Sequence, residues 1–272
     1  MANRSYLYSL GNRPTSYRDR PETISGLSEW PYDIPFVYRL LMSADPQLCG
    51  SLVSDGFDSE QEGRKTRLHA ISSAFAPGFE RFRRFAEIVK VLAAAAPLGA
   101  LAPAPPAAGS VSVLGRLKQM FSATPPRVEA PTQAPAAVEQ LPGWLDETVA
   151  FLAAHRNDFL LLETVELDLM SESDEEGLRH CVEDEIETCR HVGAAFDALP
   201  ADIHEAATLL RRLAIEEGVS PLEAFYGLRF DDDCDSTRTG ATERPLGLAF
   251  WSETLYFGLL NRAEFEARSA AD

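Results

Sequence analysis

The chain has 272 residues, of which 45% are hydrophobic, and its formal net charge at pH 7 is −17. A chain of this length and composition can bury a full core, either as one large domain or as two modest ones. An acidic surface repels nucleic acid and anionic membranes, so we expect neither of them to be a partner.

The acidic residues are concentrated toward the C-terminus. Residues 1–97 contain 12 basic and 11 acidic residues, and residues 98–142 contain 3 and 2. Residues 143–272 contain 10 basic and 29 acidic residues, which is a net charge of −19. A negative field of this strength attracts basic partners or cations and raises their association rates.

The first part of the chain, residues 1–97, is predicted to be rich in helices. Residues 5–10 have the alternation of a short strand, with Tyr6 and Tyr8 on one face and Leu7 on the other. Helical spacing or helix-start signals follow at four places. These are residues 36–42, 46–53, 68–75 and 82–92.

A Pro/Ala-rich segment, residues 98–142, is predicted to be a linker between two parts of one globular unit. Residues 91–115 carry no charge and are long enough to cross a bilayer. Pro97, Pro103, Pro105 and Pro106 would break a helix there, and Ala and Gly supply little transfer energy. Within the linker, residues 111–121 could form a short amphipathic helix.

The acidic part, residues 143–272, is predicted to pack on the first part. Helices are expected over residues 144–152, 174–199 and 203–217, and a late strand over 246–251. Residues 159–170 read as a half-buried strand, because Val165, Leu167 and Leu169 alternate with acidic residues. Helices outnumber strands and no regular βαβ rhythm is present, so the predicted fold class is α+β. The apolar seam of the long helix comprises Leu178, Val182, Ile186, Cys189, Gly193 and Phe196.

The opposite side of that long helix groups imidazoles with carboxylates. At about 100° per residue, His180, Asp184, Glu187 and His191 fall within about 60° of one another. His180 and His191 are roughly 16 Å apart along the axis, so one metal ion cannot bind both. Metal sites here would need ligands from another helix, which the sequence does not identify. A solvated face with carboxylate–imidazole pairs is therefore the favoured interpretation.

Three other segments begin like functional motifs but lack an essential residue. His204 starts a zinc-protease pattern, yet Thr208 stands where the second His must be. Residues 231–235 supply carboxylates at positions 1, 3 and 5 of a calcium loop, but Ser236 replaces the required Gly. Residues 26–30 lack the closing Gly of a nucleophile elbow. The sequence contains no dinucleotide fingerprint, no P-loop and no paired C-x-x-C motif.

The first residues lack the features of a secretory signal, so we expect a cytoplasmic protein. Four cysteines are scattered through a chain that is large enough to be stable without disulfides. We therefore predict free thiols at Cys49, Cys181, Cys189 and Cys234.

Three segments resemble a family of bacterial proteins of unknown function. They are the opening Met-Ala-Asn-Arg-Ser-Tyr-Leu-Tyr, residues 24–29 with 31–35, and the late Trp-Ser-Glu-Thr-Leu-Tyr-Phe at residues 251–257. The resemblance implies one folding unit in which the N-terminal strand packs with the C-terminal aromatic segment. It implies no activity, so no catalytic residue is carried over.

These observations favour a non-catalytic binding protein, most specifically an immunity protein or antitoxin that occludes a basic toxin domain. Toxins that act on nucleic acid or nucleotides tend to have cationic clefts, and an acidic surface competes for such clefts. No cofactor is predicted. The predicted partner surface, called the acidic face below, comprises Asp174, Glu175, Glu176, His180, Asp184, Glu187 and His191. A second patch, called the aspartate loop, comprises Asp231, Asp232, Asp233 and Asp235.

Two alternatives remain open at this stage. Many cytoplasmic proteins are acidic for solubility alone and have no basic partner. An enzyme is the other alternative, as a metal-assisted hydrolase that uses either the acidic face or the aspartate loop.

Overall fold

The computed structural model describes residues 3–58, 65–94, 134–217, 248 and 251–271, without the side chains of residues 134–140, 215 and 217. Within these residues the chain forms seven helices, a five-stranded sheet and a two-stranded sheet. The fold class is α+β, as the sequence predicts.

The elements are numbered here in chain order. The strands are β1 (Arg4–Leu10), β2 (Ile24–Pro31), β3 (Gln47–Gly50), β4 (Phe57–Asp58), β5 (Lys65–Thr66), β6 (His69–Ala74) and β7 (Phe159–Glu163). The helices are α1 (Phe36–Met42), α2 (Phe75–Ala94), α3 (Ala134–Ala154), α4 (Val165–Asp168), α5 (Glu175–Asp197), α6 (Ile203–Glu217) and α7 (Arg262–Ser269).

The large sheet has the order β2-β1-β7-β6-β3, and every neighbouring pair is antiparallel. Its central strand, β7, pairs Leu161 with Tyr8 of β1 on one side and with Ser72 of β6 on the other. Three consecutive leucines, at positions 160 to 162, suit a strand that is buried on both faces. β7 follows the Pro/Ala-rich segment in sequence, so both parts of the chain contribute to one sheet.

The two faces of the sheet are covered by different structures. Leu7, Ile71 and Leu162 point into the main core, which is built with helices α1, α2, α3, α5 and α6. Tyr6, Tyr8 and Leu161 point the other way into a smaller core. That core is completed by Leu52 and by C-terminal residues that include Leu255 and Phe257. The predicted division of β1 into a tyrosine face and a leucine face is confirmed.

Two predicted helices are wrong. Residues 46–53 contain strand β3, and residues 68–75 contain strand β6, which pair with each other through Leu48 and Ile71. Short apolar runs fit both periodicities, and here the pairing of distant segments decides in favour of strands. The predicted helices over residues 36–42, 82–92, 144–152, 174–199 and 203–217 are confirmed by α1, α2, α3, α5 and α6.

The predicted strand over residues 159–170 is correct only in its first half. β7 ends at Glu163, and the residues whose alternation suggested a strand form the single-turn helix α4. In α4, Val165 is buried while Leu167 is half-buried. The Thr164 hydroxyl donates to the Asp168 carboxylate at 2.7 Å, which favours the helical turn over an extended chain.

The end of the predicted linker overlaps a helix. α3 begins at Ala134 and includes Pro142, and Leu141 is fully buried. The predicted amphipathic segment, residues 111–121, lies outside the described residues. Of the predicted strand over residues 246–251, Leu248 and Trp251 are described, and Trp251 forms an isolated bridge with Ser28. Among the helices described, none is both long and apolar enough to cross a membrane.

Helices α1 and α2 approach each other closely at Gly78, and this contact gives a first testable prediction. A Cβ at position 78 would overlap the backbone oxygen of Leu41. We expect Gly78→Ala to lower the free energy of unfolding by about 2 kcal/mol, because the two helices must separate. The matched control is Gly143→Ala in α3, where a Cβ meets open space and alanine should stabilise the helix by up to about 1 kcal/mol. Urea unfolding measures both variants, and equal midpoints for the two would contradict the close contact.

Candidate functional site

Helix α5 holds the acidic face in a fixed position. Its N-cap is Asp174, whose carboxylate accepts hydrogen bonds from the backbone N–H groups of Glu176 at 3.0 Å and Gly177 at 2.9 Å. The six predicted seam residues are all buried against the rest of the protein. The Arg39 guanidinium of α1 also binds the Glu185 carboxylate in two places, at 2.7 and 3.0 Å. The helix is therefore fixed on its inner side, and its outer side is left to solvent.

Six of the seven residues of the acidic face are exposed on that outer side, and four of them, His180, Asp184, Glu187 and His191, share one side as the sequence predicts. Glu175 is half-buried, and its carboxylate accepts a hydrogen bond from the Arg67 N–H at 3.3 Å. Several already have partners inside the protein. Glu187 forms an ion pair with Arg190, and His191 Nδ1 lies 2.8 Å from the backbone oxygen of Glu187. Exposed pairs of this kind contribute little stability, so a charged partner can replace them at small cost.

The described part of the chain provides no support for the alternative that the protein is a metal-assisted hydrolase. Within that part, no group of three or more His, Cys, Asp and Glu residues could hold a metal ion. The four residues of α5 that would supply its ligands are all included in that search. The aspartate loop, Asp231 to Asp235, lies outside the described residues. His204, where the incomplete zinc-protease pattern starts, is an exposed residue in the first turn of α6.

A second surface feature was not predicted from the sequence. A groove of about 660 Å³ runs beside β3, which is an edge strand of the large sheet. It is lined by residues 13–18, 47–51, 54, 55 and 67–69. We call it the arginine groove, because Arg13, Arg18 and Arg67 enter it from separate segments of the chain.

The wall formed by residues 13–18 is fixed to the strand by backbone contacts. The Gly50 N–H donates to the Pro14 oxygen at 3.3 Å. A Cβ at Gly50 would lie 2.6 Å from the Cα of Ser16, so only glycine lets the loop come this close. Within the loop, the Asp19 carboxylate accepts from both the N–H and the hydroxyl of Thr15, each at 2.9 Å. The groove is thus a preformed feature of the fold.

The charged lining of the groove is predominantly cationic. Three arginines face one carboxylate, Asp55, which already binds Lys65 at 2.7 Å. Arg13 pairs with Asp45, whereas Arg18 and Arg67 are exposed. Burial and the charges of Arg179 and Arg67 lower the pKa of His69, so its imidazole is neutral at pH 7. The lining therefore carries a net positive charge within a protein of net charge −17.

A buried carboxylate supports the groove from below. Glu163 of β7 is fully buried, and it accepts hydrogen bonds from the Ser51 hydroxyl at 2.8 Å and the Leu52 N–H at 2.6 Å. Burial raises the pKa of Glu163 to about 7, although both hydrogen bonds act in the opposite direction. Ser51 is itself only 1% exposed. The pair therefore holds the loop after β3 against the sheet, and its serine hydroxyl is not accessible to a substrate.

The thiol that lines the groove is not an activated nucleophile. Burial raises the pKa of Cys49, and its sulfur donates to the Ala70 oxygen at 3.4 Å. A reactive cysteine needs the opposite environment, one that favours the thiolate. The arrangement is suited to binding rather than to covalent catalysis. Cys49, Cys181 and Cys189 are free thiols, as predicted, and Cys234 lies outside the described residues.

The comparisons with known proteins give one match. A family model for a domain of unknown function, DUF7822, matches residues 11–104. Neither the curated proteins nor the solved structures contain a match. The matched segment includes every residue that lines the arginine groove and ends before the acidic face begins.

The match is consistent with the predicted resemblance to proteins of unknown function, and it contains the motif at residues 24–35. The other two motifs, at residues 1–8 and 251–257, lie outside the matched segment, but described residues of both contact it. Strand β1 pairs with β2, and Ser28 bridges to Trp251. The two motifs also contact each other, since the Tyr8 hydroxyl donates to the Phe257 oxygen at 2.6 Å. The expected packing of the N-terminal strand with the C-terminal aromatic segment is thus present.

Proposed function

We propose that the protein is a non-catalytic binding protein whose acidic face binds a basic protein. In its most specific form it is a cytoplasmic immunity protein or antitoxin, and the acidic face occludes the cationic cleft of a toxin domain. The observation that carries the proposal is that six of the seven residues of the acidic face are exposed on a helix that a buried seam and an N-cap hold in place.

A fixed helix suits this role because its side chains need little ordering on binding. The net charge of −19 over residues 143–272 adds long-range attraction, which brings a basic protein to the surface quickly. Asp184 is exposed near the middle of the helix, and Glu187 lies one turn further on. A basic partner that contacts these residues would break the ion pair between Glu187 and Arg190 and replace it with ion pairs of its own.

Charge reversal on α5 tests the proposal. We expect the Asp184→Lys/Glu187→Lys variant to associate with the partner at least about tenfold more slowly, and to unfold within about 1 kcal/mol of the wild type. The matched control is Glu80→Lys/Glu87→Lys on α2. It makes the same change of charge at two exposed helical positions and also breaks i,i+3 ion pairs, those with Arg83 and Lys90.

The experiment begins with capture of the partner from a lysate of the native host by the tagged full chain. The captured protein is then purified, and its association with each variant is measured at several salt concentrations. The proposal expects a basic protein that inhibits growth when produced alone and is harmless when produced with the wild type. Raised salt should slow the wild type toward the rate of the α5 variant. Equal association by both reversed variants, or capture of no basic protein, would leave acidic solubility as the explanation.

A further inference from the structure

The arginine groove has the size of a small-molecule site. Pockets for small ligands usually enclose about 300 to 1,000 Å³, and the volume of about 660 Å³ lies within that range. Its wall is already held against β3 by the Gly50–Pro14 hydrogen bond and by the close approach of Gly50 to Ser16. A ligand would therefore meet a formed site and would not have to order a loop.

Two guanidinium groups in the groove are available to a ligand. Arg18 and Arg67 are exposed, and within the described residues their side chains make no hydrogen bond or ion pair. The groove carboxylate is occupied by Lys65, as described above. Guanidinium groups bind the oxygens of phosphates through two parallel hydrogen bonds. An anion would also gain from entering a cationic groove in a protein whose net charge is −17.

The other residues that line the groove suit the carbon skeleton of an organic molecule better than they suit an isolated ion. Pro14 and Leu68 are buried beneath the groove and Leu48 is half-buried, so apolar surface lies beside the arginines. The hydroxyl group of Ser16, an exposed residue of the lining, offers a hydrogen bond to a polar substituent. Ligand sites commonly combine such an apolar wall with a few polar groups that fix orientation.

We propose that the arginine groove binds a small phosphorylated organic molecule. Arg18 and Arg67 bind the phosphate, and the surface formed by Leu48 and Leu68 contacts the organic body. Glu175 of the acidic face accepts a hydrogen bond from the Arg67 N–H, but no residue of that face lines the groove, and the inference does not rest on the function proposed for that face.

Calorimetric titration of the full chain tests the site with four probes: AMP, ribose 5-phosphate, glycerol 3-phosphate and inorganic phosphate. We expect at least one organic phosphate to bind with a Kd below about 1 mM, and inorganic phosphate to bind at least about tenfold more weakly. Adenosine, which lacks the phosphate, should bind more weakly than AMP. Failure of all three organic phosphates to bind, or equal binding of inorganic phosphate, would overturn the proposal.

Variants of Arg18 and Arg67 test whether the probe binds in the arginine groove. We expect Arg18→Ala/Arg67→Ala to raise the Kd of the bound probe at least about tenfold. Arg18→Lys/Arg67→Lys should retain part of the affinity, because lysine keeps the charge but not the bidentate geometry. The control, Arg83→Ala/Arg268→Ala, removes the same charge from exposed positions outside the groove. Circular dichroism and melting confirm that each variant is folded. Equal losses in the groove variant and the control would show non-specific attraction and overturn the site.

Discussion

The Ile186→Asp variant is expected to lose about 5 kcal/mol of unfolding free energy, which is enough to leave much of the protein unfolded at 25 °C. Ile186 is 5% exposed and lies in the middle of the buried seam of α5. The substitution removes an apolar side chain from the main core and replaces it with an ionised carboxylate. Arg39 of α1 already binds the Glu185 carboxylate through two hydrogen bonds, so it is not free to neutralise the carboxylate introduced at position 186.

Urea unfolding and the far-UV circular dichroism spectrum measure this effect. The conservative control is Ile186→Val, which should cost only about 1 kcal/mol because it removes a single methylene group. Charge reversal on the outer side of the same helix should have the small effect given above for Asp184 and Glu187. An Asp variant that melts within a few degrees of the Val variant would show that the seam is not a core surface.

The second large effect on the free energy of unfolding is expected at Glu163, and its size depends on pH. Burial raises the pKa of this carboxyl from 4.5 to about 7 in the folded protein. The folded state then binds the proton more tightly than the unfolded chain does. The stabilising contribution of the protonated form is therefore complete below about pH 4.5 and is lost as the pH rises through about 7. The difference between the two limits is about 3 kcal/mol.

We expect Glu163→Gln to remove this dependence. Glutamine has the shape of the protonated acid, and its amide oxygen can still accept from the Leu52 N–H. At pH 8 the variant should be more stable than the wild type by about 3 kcal/mol, and near pH 4.5 the two should be equal.

The measurement is a series of urea unfolding curves between about pH 4.5 and pH 9 for both proteins. Glu163→Ala is the control for lost contacts. It leaves the buried Leu52 N–H and Ser51 hydroxyl without their acceptor, so it should be destabilised at low pH, where Glu163→Gln is not. Parallel stability curves for the wild type and the Gln variant would mean that Glu163 is ionised across the whole range.

Sequence periodicity was sufficient to predict the secondary structure and the buried side of an element where that element is long and one of its faces is buried. Helix α5 is 23 residues long and its seam repeats from Leu178 to Phe196, so the helix, its inner side and the exposed position of Asp184 and Glu187 follow from spacing alone. Periodicity gave the wrong secondary structure for β3 and β6. These elements are only four and six residues long, and pairing across the sheet determines that they are strands. Periodicity also failed at α4, where a side-chain hydrogen bond from Thr164 outweighs the alternating pattern.

The arginine groove could not be predicted for a different reason. Arg13, Arg18 and Arg67 are separated by up to 54 positions and follow no spacing rule. They meet because β3 and β6 pair at the edge of the sheet and the loop before Arg18 crosses β3 beside Gly50. The burial of Glu163 likewise depends on a loop more than 100 positions earlier. Such sites are created by tertiary structure, and the only local signal was the glycine at position 50.

The central position of β7 has a consequence for biosynthesis. Until the ribosome has added residue 163, β1 and β6 have no common neighbour, and their inner edges remain open to other chains. Closing the sheet also joins residues about 150 positions apart, which is a slow step in folding. The segment that matches DUF7822, residues 11–104, lacks both β1 and β7. Produced alone, that segment of this chain should therefore aggregate, whereas residues 1–104 supplied together with residues 105–272 include every strand of the large sheet and should reassemble.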